Sequence, residues 1–268
     1  MNATSPVQSH APQLSAAVIG IDVGGTGVKG AGINPVTGAL VTGRHKVATP
    51  AGGRPDDVIA VVADMVTDIR AELSSRGIPV AAEVGICVPS VVRHGVTLTA
   101  GNIDPSWVGL DALALLEAAI GAPCTLVNDA DAAAVAEARL GAAQGTTGVA
   151  LVLTLGTGLG SGMLLDGSLV PNTELGHLEF DGHAPVERFI SPKIIERDGL
   201  PLAEWAARLS RVLAHVERLF TPELIVLGGS ISKSADEFLP LAGVRAEVVP
   251  AQFRNNAGMV GAALLTGG

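Results

Sequence analysis

Along the chain the spacing of apolar positions changes in a regular order. Val18–Val23 is an almost unbroken apolar run with a single acidic residue, Asp22, near its end. Val28–Ile33 is a second such run, and both predict buried strands. Asn34–Gly38 supplies turn residues and Ala39–Val47 predicts a third strand, which makes a meander. From Asp56 to Arg76 the period becomes helical: Val58, Val61, Val62, Met65, Val66, Ile69 and Leu73 share one face, and Gly77 can end the helix. A strand at Ala82–Val88, a helix at Leu110–Ile120, a strand at Thr125–Val127 and an alanine-rich helix at Ala130–Leu140 follow.

The second half repeats this plan. An apolar run from Val149 leads into a glycine loop and a second apolar run, and a further strand follows Asp166-Gly167. A long helix near Leu202–Phe220, a strand at Leu224–Leu227 and a terminal helix complete the series. A meander followed by alternating helices and strands, used twice, predicts an α/β protein of two related domains. Their expected limits are 15–127 and 128–268, with the last helix packing back on the first domain. Residues 1–14 are polar and lack Lys and Arg, so they predict a disordered tail and not a signal peptide.

Composition narrows the picture little. Of 268 residues 48% are hydrophobic, which is enough to fill a real core, and the 34 glycines fit tight loops and close packing. The formal charge of −9 argues against general nucleic-acid binding and against an anionic membrane surface, but leaves room for a local basic groove. No apolar run reaches the ~20 residues of a membrane span. Cys87 and Cys124 lie in apolar strand-like runs and are expected as buried free thiols, in keeping with a reducing cytoplasm.

Each half carries Gly-Thr-Gly between two apolar runs, at Gly25-Thr26-Gly27 and at Gly156-Thr157-Gly158. The first also matches G-x-G-x-x-G. A dinucleotide site would need a helix next and an acidic residue ~20 positions on. Strand–turn–strand follows instead, and no Asp or Glu occurs between Val23 and Pro55. The better reading is a pair of hairpin loops whose backbone N–H groups cradle phosphate. Glycine there permits close approach and positive φ. Thr26 and Thr157 offer hydroxyls and Lys29 a positive charge. Asp22, at a strand end, suits a hydrated Mg2+. Two such loops facing each other point to phosphoryl transfer.

Asn128 and Asp129 follow a strand and open a helix, where N-capping alone explains one of them. Asp129 is also placed to take a proton from an attacking hydroxyl. At an ordinary pKa of about 3.9 it is ionised at neutral pH. Glu174 and Glu179 flank His177 in a segment that Gly176 keeps from being a regular helix; such a cluster suits the hydroxyls of a polyol. Zinc on His177 is disfavoured, since no cysteine follows and His183 is the nearby second imidazole. Asn102 is a loop amide suited to a hydroxyl or to an Asx-turn before Pro105. Two basic surfaces stand out: Arg208, Arg211, His215 and Arg218 on the long helix, and the pair Lys193 and Arg197.

From Ile19 to Leu265 the chain resembles the ROK sugar-kinase family, within the actin/hexokinase-like (ribonuclease H-like) superfamily. The resemblance is carried by Asp22-Val-Gly-Gly-Thr-Gly-Val-Lys-Gly-Ala31, Asn102-Ile-Asp-Pro-Ser-Trp107, Asn128-Asp-Ala-Asp-Ala132, Thr154-Leu-Gly-Thr-Gly-Leu-Gly-Ser161, Pro171-Asn-Thr-Glu-Leu-Gly-His-Leu-Glu179 and Asn255-Asn-Ala-Gly-Met-Val-Gly-Ala-Ala263. It implies a two-domain fold with a central cleft. Asp22, Gly24, Gly25, Thr26, Gly27 and Lys29 would form the first phosphate motif, and Gly156, Thr157, Gly158 and Gly160 the second. Asp129 would be the base. Asn128, Glu174 and His177 would bind a hexose, with Glu179 a weaker candidate, and Gly228 and Gly229 would lie on the nucleotide side.

Asp181-Gly-His-Ala-Pro185 stands where many ROK proteins carry a cysteine-rich zinc loop, so no zinc is expected; that is like the polyphosphate-using branch. Ser230 stands where relatives often have a third glycine. The residues alone leave the donor open between polyphosphate and ATP. The resemblance favours polyphosphate, with ATP also accepted, and implies glucose or mannose as acceptor, Mg2+ as cofactor and a homodimer. An ATP-only hexose kinase and a non-catalytic sugar sensor are the alternatives.

Overall fold

The structure is a computed structural model that describes residues 16–267; the expected tail lies outside the described residues. In chain order the first half runs β1 (Ala17–Val23), β2 (Gly27–Ile33), β3 (His45–Ala48), α1 (Pro55–Ser75), β4 (Val80–Val88), β5 (Val92–Arg93), β6 (Val96–Thr97), β7 (Leu110–Asp111), α2 (Ala112–Ile120), β8 (Cys124–Asn128) and α3 (Asp129–Leu140). The second runs β9 (Val149–Leu155), β10 (Leu159–Leu165), β11 (Ser168–Val170), α4 (Glu187–Ile190), α5 (Lys193–Asp198), α6 (Leu202–Phe220), β12 (Leu224–Gly229), β13 (Glu247–Pro250) and α7 (Ala257–Leu265).

Two five-stranded sheets result, ordered β3-β2-β1-β4-β8 and β11-β10-β9-β12-β13. In each, an antiparallel meander is extended by two parallel strands, so the orders correspond strand for strand. The repeated plan read from the apolar pattern is therefore a repeated topology.

Helix α1 buries Val58, Ile59, Val62, Met65, Val66, Ile69 and Leu73. Pro55 starts it, Asp56 and Asp57 stand in its first turn, and Gly77 follows its end at φ +65°. Helix α6 buries Trp205, Leu209, Val212, Leu213 and Val216 on the other sheet. Each such side chain contributes about 1.5–3 kcal/mol by leaving water.

Helices α3 and α7 lie between the sheets. Helix α7 packs on β1, β4 and α3, while α3 packs on β9 and β10. Glycine makes this possible. A Cβ on Gly20 would meet the Met259 carbonyl, one on Gly85 the Ala262 carbonyl, and one on Gly261 the Ala132 carbonyl. Helix backbone rests directly on sheet and helix backbone at these places.

Two expectations need correction. The third strand is not Ala39–Val47 but His45–Ala48, preceded by an isolated bridge at Leu40. The Thr42 hydroxyl accepts the Gly32 N–H at 2.9 Å and takes the place of a ladder carbonyl. The helix expected from Leu110 begins at Ala112. Asp111 is its cap, accepting the Ala114 N–H at 3.2 Å, and Leu110–Asp111 joins a small sheet, β5-β6-β7. Two-residue strands leave no periodic trace, so that sheet was not legible.

Candidate active site

The two Gly-Thr-Gly loops occupy equivalent places, between the first two strands of each sheet. In the first, the Gly24 N–H donates to Gly27 O at 3.0 Å and the Thr49 hydroxyl donates to Gly24 O at 2.5 Å. In the second, the Gly156 N–H donates to Gly158 O at 3.1 Å. The Ser191 hydroxyl lies 3.0 and 2.9 Å from the carbonyls of Gly156 and Thr157. Thr26 and Thr157 are exposed at the tips.

Positive φ was one expected reason for the glycines, but Gly24, Gly25, Gly27, Gly156, Gly158 and Gly160 all lie outside that region. At Gly25, Gly158 and Gly160 close approach is the reason instead. A Cβ on Gly25 would strike Asn102, one on Gly158 the Glu187 carboxylate, and one on Gly160 Thr154 and Ala130. The last contact packs the start of β10 on the first turn of α3, which begins at Asp129.

Asn128 caps α3. Its side-chain oxygen accepts from Ala130 N at 2.9 Å and Asp131 N at 3.1 Å, and its amide donates to Ser90 O at 3.1 Å. Asp129 is only partly exposed. Its carboxyl is not an ordinary one: burial, then the charge of Asp22, and more weakly that of Glu174, push it up to about 7, against the pull of the Ala130 N–H. The expectation of full ionisation at neutral pH is thus corrected. A carboxyl poised near 7 is better matched to general-base work than one near 4.

Asp22 is the nearby charge. Lys29, across the β1–β2 ladder, bonds its Oδ2 at 2.7 Å, so this cation is committed first to Asp22. Below them a Cβ on Gly258 would sit against Asp22 and the Cys87 thiol, so α7 forms part of the floor. Cys87 and Cys124 are both buried and free. Among the described residues no group of three or more His, Cys, Asp or Glu side chains could hold a metal ion. Mg2+ asks for less, since it keeps several waters and needs one or two carboxylates. Two neighbouring carboxyl groups, Asp22 and Asp129, are a fitting environment for a cation, and the charge of Asp22 helps to raise the pKa of Asp129.

Glu174, His177 and Glu179 lie in the segment after β11. Leu175–His177 is a single 3-10 turn, with Gly176 pressed on the Leu159 carbonyl. The carboxylate of Glu174 stands 3.7 Å from His177 Nε2; burial raises its pKa, opposed by His177. Glu179 is exposed. Asn102 is exposed too, at φ +62°, packed against Gly25. The Asx-turn before Pro105 is made by Asp104, which accepts the Ser106 N–H at 2.8 Å, so it does not occupy Asn102. Gly228 and Gly229 end β12 beside Thr154 and Leu155, next to the second loop. Gly229 has φ +81° with no room for a Cβ against Leu155.

Three further residues near the site were not singled out by the sequence reading. Asp131 is 1% exposed; its Oδ2 accepts the Asn172 N–H at 2.7 Å, and Oδ1 has no partner among the described residues. Burial pushes this carboxyl up to about 6. Asn172 in turn clamps Val92, accepting its N–H at 3.0 Å and donating to its carbonyl at 2.9 Å. Glu187 accepts the Leu159 N–H at 3.2 Å and, with Ser191, ties α4 to the second loop. These are single polar residues, two in the first turns of helices and Asn172 in a loop, whose partners are far away in sequence.

Two sheets of one order, a glycine hairpin from each, and an aspartate of raised pKa between them define a phosphotransferase of actin-like ATPase fold. The chain belongs to the ROK family, whose profile matches residues 18–189. It is 40% identical to the polyphosphate glucokinase of Mycobacterium tuberculosis (strain CDC 1551 / Oshkosh) over 98% of this chain and 97% of that protein. Among solved structures it is similar to the inorganic polyphosphate/ATP-glucomannokinase of Arthrobacter sp. strain KM, with 50% identity, a TM-score of 0.86 and coverage of 93% and 98% of the two chains. A ROK family glucokinase from Streptomyces griseus, solved with glucose and AMPPNP, is 26% identical with a TM-score of 0.72, covering 92% and 98%.

Proposed function

We propose that the protein transfers the terminal phosphoryl group of polyphosphate, or of ATP, to the 6-hydroxyl of glucose, with mannose as a second acceptor. The observation that carries this reading is Asp129, with its pKa near 7 beside Asp22, at the head of a helix packed on the second Gly-Thr-Gly loop. The printed names of the Mycobacterium and Arthrobacter relatives support the donor and the sugar.

In the proposed reaction, Asp129 accepts the proton of the 6-hydroxyl as its oxygen attacks phosphorus. A bond forms from that oxygen to phosphorus, and the bond from phosphorus to the donor's bridging oxygen breaks. Glu174 and His177 hold sugar hydroxyls, as does the amide N–H of Asn128 that is not used by Ser90. Asn102, beside the first loop, and Glu179 are further sugar contacts. Backbone N–H groups and the hydroxyls of Thr26 and Thr157 hold phosphate oxygens, with Gly228 and Gly229 beside the donor. Bound near Asp22, Mg2+ would offset charge on the transferring phosphoryl group. The halves 15–127 and 128–268 act as two domains, and their closure over the sugar excludes water.

The test is formation of hexose 6-phosphate from glucose and from mannose, with Mg2+, using polyphosphate and ATP in parallel. Product from both donors is expected. Product from ATP alone would remove polyphosphate, and no product from either would remove the kinase reading.

A further inference from the structure

A cavity of about 550 Å3 opens directly beside the second Gly-Thr-Gly loop, and Thr157 forms part of its wall. The opposite wall is the segment that braces that loop, where Glu187 holds the Leu159 N–H and Ser191 faces the Gly156 and Thr157 carbonyls. The same segment carries Arg188 into the cavity wall, and α5 adds Lys193 and Arg197, one turn apart. A loop suited to phosphate thus gives onto a hollow with three cations.

The basic surface does not stop there. A second cavity, of about 500 Å3, is bordered by Phe189, Arg208 and Arg211. Arg188 of the first cavity and Phe189 of the second are consecutive in α4, and Arg208 is near enough to Asp198, the partner of Arg197, to help lower its pKa. The Arg208 guanidinium lies 5.2 Å from the Phe189 ring centre, and that of Arg211 lies 5.7 Å from the ring of Phe180. Stacking of this kind fixes the planar head while leaving its edge to bind an anion. Carboxylates are present as well. Arg197 is bonded to Asp198, Arg208 to Glu204 at 3.0 Å, and Arg211 to Asp181. All three acids are exposed, and exposed pairs are worth little, so exchange for phosphate oxygens is cheap. Glu196 lines the first cavity and is exposed, while Glu187 is engaged by the loop.

We propose that Arg188, Lys193, Arg197, Arg208 and Arg211 form a polyanion track that holds the part of a polyphosphate chain beyond its reacting end. This rests on the proposed function. Long inorganic polyphosphate is the fitting ligand, because charge repeats along its whole length. A chain with net charge −9 repels such a ligand as a whole, so a local basic run leading to Thr157 gives it a favourable path. Lys193, Arg197, Arg208 and Arg211 lie outside the residues matched by the family profile. The two basic surfaces that the sequence shows separately, on α5 and on α6, are joined here into one.

The test compares donors of different length. Lys193→Glu/Arg197→Glu and Arg211→Glu are assayed with long-chain polyphosphate, tripolyphosphate and ATP, beside Arg93→Glu, an exposed charge reversal in the other half. The KM for long polyphosphate should rise about tenfold or more in the first two variants, and its salt dependence should weaken. KM for tripolyphosphate, ATP and glucose should stay within about twofold, which also shows that the variants fold. Unchanged KM for long polyphosphate overturns the track, as does an equal rise for all three donors or an equal rise in Arg93→Glu. Wild-type protein that uses ATP but polyphosphate of no length overturns the donor reading, and the track with it.

Discussion

At Asp129 the residue type and its surroundings act together. Asn128 caps the helix and Asp129 Oδ1 accepts the Ala130 N–H at 2.9 Å, which leaves Oδ2 for the proposed chemistry. Replacing it with Asn should lower kcat by at least about 10²-fold with sugar binding largely intact, as expected for loss of a general base. A near-normal kcat in steady-state assays would remove Asp129 from that role. The raised pKa makes a second prediction. Only the ionised form accepts a proton, so kcat/KM for glucose should fall as pH drops through about 7 and level off above it. The stability sign is the opposite. A carboxyl whose folded pKa lies above its unfolded value weakens the fold as pH rises from about 4 towards 7. Asp129→Asn should therefore raise Tm at pH 8, and the gain should be much smaller at pH 4. An equal gain at both pH values would show that charge is not the cause.

At the scale of elements the contact between α3 and α7 sets where Asp129 sits. The two helices meet backbone to backbone at Gly261 and Ala132, three residues from Asp129 in sequence. Gly261→Ala places a methyl group against a carbonyl and should destabilise by about 1–3 kcal/mol through overpacking. Urea denaturation reads this, and a normal midpoint would mean that the helices simply move apart. Further along α3, buried Glu137 accepts the N–H groups of Ala142, Gln252 and Phe253 at 2.8, 3.1 and 2.9 Å. It joins α3 to the segment leading into α7. Glu137→Ala should cost about 3 kcal/mol or more, because those donors lose their partner in the interior.

For the whole molecule the question is how two similar halves keep one cleft. Asn172, in the second half, clamps Val92 in the first, and Asp131 holds the Asn172 backbone. The segment so fixed leads directly to Glu174. Asn172→Ala removes two hydrogen bonds across the halves, a loss of about 1–3 kcal/mol. It should raise the glucose KM more than it lowers kcat, since it moves Glu174, the proposed sugar contact, and not Asp129, the proposed base. Equal KM in wild type and variant would assign the clamp to stability alone.

The sequence by itself determined the duplicated plan, both glycine hairpins, the long helices α1 and α6, and Asp129 at a helix start. These features are periodic or locally patterned, so each is written within a short stretch of chain. Only the tertiary structure decided the rest. It showed that Gly25 and Gly158 serve close approach and not positive φ, because Asn102 and Glu187 come from distant segments. It moved the Asp129 pKa, because burial and the charge of Asp22 exist only once β1 and α3 are packed. It brought Asp131, Asn172 and Val92 into one chain of hydrogen bonds. Pairing between residues far apart has no local pattern, and the energy of each group in a cleft is set by neighbours that folding alone supplies.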